Sequence, residues 1–362
     1  MTESVRENVL RLKKEHLDRL RDWRLEKFEN PELRTLFLEL TRRCNENCRH
    51  CGSSCGSAPS PEVKADDLKK LLDDVKRDFD IGRMTLALTG GEPLLYRDFF
   101  ELARYAHSLG FTWGMTTNGT LITPGTARKL KEAGIGSVSV SIDGTKAQHD
   151  SFRRMSHAYD RAIEGVKNLI DAGVDPVQIT TVVTHETVHD LPVMFEEFSK
   201  LDISSWRISN MEPIGRALTC PDLMLTDDEY RYMFDFIREK REAGYPLLYG
   251  CQHYLGPDYE REVRDWYYFC SAGVYVASVT CEGNIVACLD VERRPELVQG
   301  SIYRDSFADV WKNGFGFFRR DLSKTCGKCS SCGEAEHCMG GPFHSYDYDR
   351  KEPLVCFKGV LF

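Results

Sequence analysis

Three cysteines lie close together near the start of the chain, where Cys44, Cys48 and Cys51 have the spacing Cys-x3-Cys-x2-Cys. Three thiolates on one short loop can hold three irons of a [4Fe–4S] cluster and leave the fourth iron free. The apolar run 35–40 directly before this loop predicts a strand. An open iron at the end of a strand is a place for chemistry, whereas full ligation would favour a structural or electron-carrying role. Structural zinc, with Cys55 as a fourth ligand, is the alternative.

A second motif, Gly90-Gly91-Glu92-Pro93, follows the next predicted strand, 84–89. Two glycines let the backbone approach a ligand closely, and a carboxylate can accept hydrogen bonds from an ammonium group. Alone, the motif would be an ordinary turn. At the end of the strand that follows the cysteine loop, it indicates a shared ligand site.

Together these two motifs resemble the radical S-adenosylmethionine (SAM) superfamily. The resemblance implies that SAM binds the open iron through its amino and carboxylate groups, and that one electron cleaves it to a 5′-deoxyadenosyl radical that abstracts a substrate hydrogen. It implies SAM contacts at strand ends: Gly90, Gly91 and Glu92 at the methionyl amine, Thr116, Thr117 and Asn118 at the ribose, and Ser141 and Arg153 at the carboxylate. Arg154 and Arg161 compete with Arg153 for that role, and His50 stands where the family usually has an aromatic ring. For Asn-Gly and Asp-Gly pairs, turn formation is the alternative.

The C-terminal part of the chain carries a second set of cysteines: Cys270, Cys288, Cys326, Cys329, Cys332, Cys338 and Cys356. Their pattern resembles the SPASM extension of radical SAM enzymes, which implies one or two auxiliary iron–sulfur clusters. Structural zinc, with His337 and His344 as further ligands, is the alternative. Asp290, two residues after Cys288, is a candidate base; a solvated carboxylate at a strand end is its alternative.

One position departs from the SPASM pattern, because Pro342 stands where a last cysteine is expected. The resemblance assigns an outer cluster to Cys329, Cys332, Cys338 and Cys356, and an inner one to Cys270, Cys288 and, as a substitute, Cys326. Two fully ligated clusters need eight thiolates. Either a remaining cysteine such as Cys281 supplies the eighth, or the inner cluster has an open iron.

The elements that must position these residues alternate along the first half of the chain. Strands are predicted at 35–40, 84–89, 112–117, 137–142, 178–184 and 204–211, with helices at about 65–78, 97–109, 125–133, 157–172 and 190–200. Six such units predict an α/β fold with a parallel sheet, a partial (β/α)6 TIM-like barrel whose chemistry gathers at the carboxyl ends of the strands. We expect an N-terminal helical segment at 1–34, the barrel at 35–220 and a C-terminal cysteine-rich iron–sulfur domain at 221–362.

The composition and the net charge argue against several classes of protein. The 362 residues carry a formal net charge of -8, which argues against a nucleic-acid partner. Neither a long apolar run nor a secretory signal pattern is present, so neither a membrane span nor export is expected. With 14 cysteines, the chain fits a reducing cytoplasm, where clustered cysteines bind metal more often than they form disulfides.

By family analogy, the resemblance favours a maturase that acts on a peptide or protein side chain, forming a crosslink, an oxidised residue or a decarboxylated terminus. A flavodoxin- or ferredoxin-type protein is the expected electron donor. Because 34 residues precede the first strand, we expect any leader-binding partner to be a separate protein. The alternatives are a small-molecule enzyme of the superfamily, a dehydrogenase or decarboxylase of an aminocyclitol, alcohol or tetrapyrrole, and a non-enzymatic iron–sulfur electron carrier.

Overall fold

The computed structural model describes residues 3–362, with side chains described from residue 7 onward. Its main sheet contains ten strands: β1 (Thr35–Glu39), β2 (Thr85–Thr89), β3 (Thr112–Thr117), β4 (Ser137–Ser141), β5 (Val177–Val183), β6 (Ser205–Asn210), β7 (Leu247–Tyr249), β8 (Val276–Val279), β9 (Asn284–Val286) and β10 (Gly300–Ser301). A separate hairpin pairs β11 (Tyr346–Asp347) with β12 (Glu352–Pro353).

Eleven α-helices occur in the described residues. They are α1 (Glu3–Glu29), α2 (Ala65–Asp78), α3 (Phe99–Leu109), α4 (Pro124–Glu132), α5 (Lys146–Arg153), α6 (Ala158–Asp171), α7 (Leu191–Phe198), α8 (Asp227–Glu242), α9 (Gly256–Tyr259), α10 (Phe307–Asn313) and α11 (Ala335–Cys338). In the described part of the chain, no helix is long and apolar enough to cross a membrane.

The strand order in the main sheet is β10-β9-β8-β1-β2-β3-β4-β5-β6-β7. Strands β8 and β1 to β7 pair in parallel, and β9 and β10 add an antiparallel edge. Since parallel strands end at the same edge of a sheet, the loops after β1 to β6 meet at one end of the barrel. The Cys44, Cys48 and Cys51 loop follows β1, and the Gly90-Gly91-Glu92 motif follows β2.

Alternation of residue types along each strand decides which side chains reach the barrel interior. In β4, Val138 and Val140 are fully buried in the core, while the intervening serines are half-buried. The crossover helices supply matching apolar faces; in α6, Val166 and Leu169 are fully buried. A two-residue period in the strands and a helical period in the crossovers therefore leave small polar residues facing inward at the ends of the strands.

These observations confirm the predicted α/β class with a parallel-strand sheet. Two features go beyond the sequence prediction. The alternation continues past β6, because α8 leads into β7, which pairs with β6. In addition, β8 pairs in parallel with β1, so the C-terminal region contributes to the same sheet. The boundary between 220 and 221 stays a prediction.

The predicted N-terminal helical segment corresponds to α1; residues 1 and 2 lie outside the described residues. This helix packs against α9 and α11 in the C-terminal region. Trp23 meets Phe269 edge to face with 5.1 Å between ring centroids, and buried Arg24 donates to the carbonyl of His337. Helix α1 is therefore attached to the cysteine-rich region.

Candidate functional site

The three clustered cysteines line one cavity of about 430 Å³ at the carboxyl end of the barrel. Cys44 and Cys48 are each 8% exposed. Burial raises the pKa of Cys44 to about 11, and burial also raises the pKa of Cys48. Cys51 is half-buried. Because iron takes the place of the thiol proton when it binds, three convergent thiols are a donor set that fits an iron–sulfur cluster.

Two hydrogen bonds from Arg216 hold the cysteine loop in place. Its Nε donates to the carbonyl of Cys48 at 2.8 Å, and its Nη1 donates to the carbonyl of Cys55 at 2.6 Å. The preceding Gly215 has φ +56°, and a Cβ there would lie 2.2 Å from the carbonyl oxygen of Gly52. Arg216 was missed by the sequence reasoning. Its only signal was the Gly-Arg pair after the last predicted barrel strand.

The two glycines of the second motif pack against the backbone that leads into the cysteine loop. Gly91 N donates to Thr41 O at 2.7 Å, and Glu92 N donates to Arg43 O at 2.9 Å. A Cβ on Gly90 would lie 2.4 Å from Thr41 O, and one on Gly91 would lie 2.3 Å from Arg43 O. Both glycines also line the cavity. Their lack of a side chain thus lets two loops touch and leaves backbone facing the cavity.

Glu92 points away from the cavity. Its carboxylate accepts from the Thr117 hydroxyl at 2.9 Å, from Asn118 N at 2.9 Å and from Leu94 N at 3.2 Å. Burial raises the pKa of Glu92 to about 7, although these hydrogen bonds oppose the shift. The carboxylate ties the loop after β2 to the loop after β3, while Thr116, Thr117 and Asn118 line the cavity. Contact between Glu92 and a ligand amine stays a prediction.

Arg153 lies in a buried network at the cavity wall. Its guanidinium donates to Asp143 Oδ2 at 2.8 and 3.0 Å and to Glu46 Oε2 at 2.7 Å. Burial alone would raise the pKa of Asp143, but Arg153 and His50 hold it below its usual value. Burial lowers the pKa of His50 to about 4, and its ring stacks on Phe152 at 4.6 Å. Arg153 is thus fixed at the cavity with both carboxylates as partners.

A second cavity of about 380 Å³ adjoins the first. Ser141 lines the first cavity, and its strand neighbours in register, Thr180 and Arg207, line the second. Asp290 is exposed and lines both, and no ion pair to its carboxylate occurs among the described side chains. The residues common to both cavities are Phe37, His50, Gly52, Arg207, Cys288 and Asp290. The two cavities are therefore neighbours that share part of their walls.

A carboxylate and two imidazoles meet at the wall of the second cavity. Glu212 Oε1 lies 2.6 Å from His253 Nε2 and 4.0 Å from His344 Nε2. Burial would raise the pKa of Glu212, but His253 lowers it to about 2. The second oxygen of Glu212 is buried and has no hydrogen-bond partner in the described part of the chain. This polar group was not predicted from the sequence, because its members lie far apart along the chain.

The C-terminal cysteines fall into two places. Cys270 and Cys288 line the second cavity, and the backbone N–H of Phe343 donates to the Cys270 sulfur. The segment with Pro342 in place of a cysteine therefore lies at this inner position. Cys251 lines the same cavity, whereas Cys281 is buried beside Glu39 and Glu282.

The other cysteines gather away from this cavity. Burial raises the pKa of Cys329, and the neighbouring thiols of Cys326, Cys338 and Cys356 raise it further. Cys332 follows Cys329 in the same turn, with its N–H donating to the Cys329 carbonyl. The structure thus places Cys326 beside the outer cysteines, not with Cys270 and Cys288. All 14 cysteines are free thiols.

Comparison with known proteins agrees with this geometry. Residues 38–198 match the radical SAM superfamily, and residues 270–333 match SPASM, an iron-sulfur cluster-binding domain. The chain is 32% identical over 346 residues to an AdoMet-dependent heme synthase of Methanosarcina barkeri (strain Fusaro / DSM 804), covering 90% of this chain and 97% of the relative. It is 31% identical over 314 residues to the mycofactocin maturase MftC of Mycobacterium tuberculosis (strain ATCC 25618 / H37Rv), covering 84% and 77%.

Two solved structures share the fold. Streptococcus suis SuiB bound to S-adenosylmethionine superposes with a TM-score of 0.70 at 20% identity, over 89% of this chain and 76% of that one. The structure of anSMEcpe with bound AdoMet superposes with a TM-score of 0.67 at 20% identity, over 86% and 90%. At this identity the likeness concerns the fold: a parallel-strand partial barrel followed by a cysteine-rich region.

Proposed function

The chain belongs to the radical SAM superfamily and carries a SPASM domain, and from this premise we propose that its substrate is an iron tetrapyrrole. Members of the superfamily are enzymes, so the alternative of a passive electron carrier is excluded. The cofactors are a [4Fe–4S] cluster, S-adenosylmethionine and auxiliary iron–sulfur clusters. When bound, the first two supply a 5′-deoxyadenosyl radical that abstracts a hydrogen atom.

In this proposal the chain's own residues hold and shield the cofactors. Cys44, Cys48 and Cys51 ligate the first cluster, and Arg216 fixes the carbonyls of their loop. The residues that line the same cavity bind SAM: Gly90 and Gly91 through backbone, Thr116, Thr117 and Asn118 at the ribose, and Ser141 and Arg153 at the carboxylate.

The C-terminal cysteines hold the auxiliary iron in this proposal. Cys329, Cys332, Cys338 and Cys356 form the outer site, and Cys326, which lies beside Cys329, belongs to the same site. Cys270 and Cys288 form the inner site, at the wall of the second cavity. Asp290 remains the candidate base, because it lies beside Cys288 and lines both cavities.

The observation that carries the choice of substrate is the extent of the match to the heme synthase, which covers 97% of that relative. Two further heme synthases align over 91% of this chain each. The two adjoining cavities, with Arg207 in the wall that they share, suit a large substrate that bears anionic groups.

A peptide substrate is the second candidate. The mycofactocin maturase supports it, since it is 31% identical to this chain, although the chain covers 77% of that relative. In this case a separate leader-binding protein would present the peptide. For either substrate, we propose that a flavodoxin- or ferredoxin-type protein delivers the electron.

The test uses the anaerobically reconstituted enzyme with SAM, dithionite and iron coproporphyrin III. We expect 5′-deoxyadenosine to form together with a tetrapyrrole that has lost carbon dioxide, both measured by mass spectrometry. For each side chain one hydrogen atom passes to 5′-deoxyadenosine, carbon dioxide leaves, and the remaining electron would be taken up by an oxidised iron–sulfur cluster. Cys48→Ala should abolish both products, while Cys220→Ala, a half-buried cysteine outside every predicted ligand set, should retain them. If 5′-deoxyadenosine forms but the tetrapyrrole is recovered unchanged, the tetrapyrrole proposal fails and the peptide candidate takes its place.

A further inference from the structure

Arg207 carries a positive charge that no described carboxylate neutralises. It lies on β6 and is half-buried, and its Nε is buried with no hydrogen-bond partner among the described atoms. Its guanidinium forms no ion pair with any described carboxylate, unlike Arg153, which binds two. Its aliphatic stem packs against Gly250, where a Cβ would lie 2.5 Å from Arg207 Cγ. Arg207 thus lines the cavities without a protein anion as partner.

The groups around Arg207 provide no anionic partner for its guanidinium. Burial raises the pKa of the neighbouring Cys251, so this cysteine is a neutral thiol at physiological pH. Asp290 lines the same cavities but lies beyond ion-pair distance. A buried Nε without a partner is costly, and an anionic ligand removes that cost by accepting charge-assisted hydrogen bonds from the guanidinium.

The position of Arg207 relative to the proposed SAM site indicates which ligand it binds. It stands in register with Thr180, which stands in register with Ser141, so Arg207 is two strands, or about 9.6 Å, from the proposed SAM carboxylate site. It lines both cavities, at the junction between the first cluster and Cys288. A group bound there would lie next to SAM instead of replacing it.

We propose that Arg207 binds a carboxylate of the substrate and so positions the neighbouring carbon for hydrogen abstraction. The proposal rests on the proposed function only in taking the carboxylate to be a tetrapyrrole propionate. Two other anions compete for Arg207, namely the SAM carboxylate and an iron–sulfur cluster ligated by Cys270 and Cys288, and the test separates them from the substrate.

The first measurement is equilibrium binding of iron coproporphyrin III, followed by its absorption spectrum, to holoenzyme without dithionite. Arg207→Gln should weaken binding by about tenfold to hundredfold, and Arg207→Lys should fall between, because lysine keeps the charge but loses the two-pronged geometry. Arg128→Gln, the same change at an exposed position on α4, should bind as wild type. The tetramethyl ester should bind wild type and Arg207→Gln equally.

The other two anions give different results. If Arg207 held SAM, Arg207→Gln would lower 5′-deoxyadenosine formation without substrate. If it neutralised a cluster, the variant would contain less iron than wild type. Either result, or equal weakening of acid and ester, overturns the proposal. We expect wild-type iron content and folding, because the substitution removes a half-buried charge that forms no ion pair with a described carboxylate.

A second measurement does not depend on the tetrapyrrole. Phenylglyoxal modifies unpaired arginines, and peptide mapping reports the extent at each position. Glutarate should protect Arg207 in the holoenzyme and leave Arg128 unprotected. If the tetrapyrrole fails to bind wild type but glutarate protects Arg207, the carboxylate site stands and the tetrapyrrole proposal falls. If the tetrapyrrole binds wild type and Arg207→Gln equally, the carboxylate site falls and the tetrapyrrole proposal stands.

Discussion

Replacing Gly91 with alanine tests whether the contact between two loops sets the geometry of the cluster site. A Cβ at this position would lie 2.3 Å from the carbonyl oxygen of Arg43 and 2.7 Å from its carbonyl carbon. Both are backbone atoms, so no rotamer change relieves the overlap, and the loops must separate by roughly 1 Å to restore van der Waals contact. That movement is transmitted directly to Cys44, the next residue along the chain.

The energetic cost follows from the hydrogen bonds at the same contact. Gly91 N to Thr41 O, at 2.7 Å, and Glu92 N to Arg43 O, at 2.9 Å, would both be strained or broken. Loss of each hydrogen bond costs about 1–2 kcal/mol. We therefore expect Gly91→Ala to lower the free energy of unfolding by about 2–4 kcal/mol. Given the usual entropy of unfolding for a chain of this length, the thermal midpoint should fall by about 3–5 °C.

The assay compares thermal unfolding and iron retention of Gly91→Ala and wild type under anaerobic conditions. Displacing the loop should also weaken cluster binding by about tenfold to hundredfold, seen as faster iron loss to a chelator. Gly125→Ala is the matched control, because its nearest contact is 3.7 Å and it lies at the start of α4. A Gly91→Ala protein that melts and holds iron like wild type would refute the reasoning.

Two further predictions concern neighbouring residues. Arg216→Ala leaves the carbonyls of Cys48 and Cys55 without their donors, so the variant should lose iron to a chelator at least several-fold faster than Arg128→Ala; equal rates would contradict the bracing role. For Glu92, burial raises the pKa from 4.5 to about 7, so its contribution to stability is complete below 4.5 and is lost as pH rises through 7. Wild type should therefore lose about 2.5 kcal/mol more than Glu92→Gln between pH 5 and 8, and parallel pH profiles of anaerobic unfolding would argue against it.

The fold could largely be predicted from the sequence because its signals are local. Each predicted barrel strand lies within about two residues of an observed strand, from β1 to β6. The two features that were missed are not local. The three residues of β7 are too few to show a period, and the pairing of β8 with β1 joins segments that no local pattern connects.

The candidate site also combines residues that have a local sequence pattern with residues that have none. Cysteine spacing and paired glycines are sequence patterns, and the structure brings the predicted SAM-binding residues to one cavity, with the Glu92 carboxylate facing away from it. Arg207 and Arg216 carry no such pattern, because an arginine reveals its role only through what surrounds it. Cys326 shows the limit of spacing: the pattern assigned it to the inner cluster as a substitute, but its neighbours in space are the outer cysteines.

The pairing of β8 with β1 has a consequence for how the protein is made. Thr35 pairs with Val276, so one edge of the strand that precedes the cysteine loop has no partner until about 240 more residues have been synthesised. At typical translation rates this interval is on the order of 10–50 s. During that time the nascent chain exposes an open strand edge beside three unligated thiols, a state prone to mispairing and oxidation. Cluster insertion that needs the paired strand must therefore wait until β8 has been synthesised.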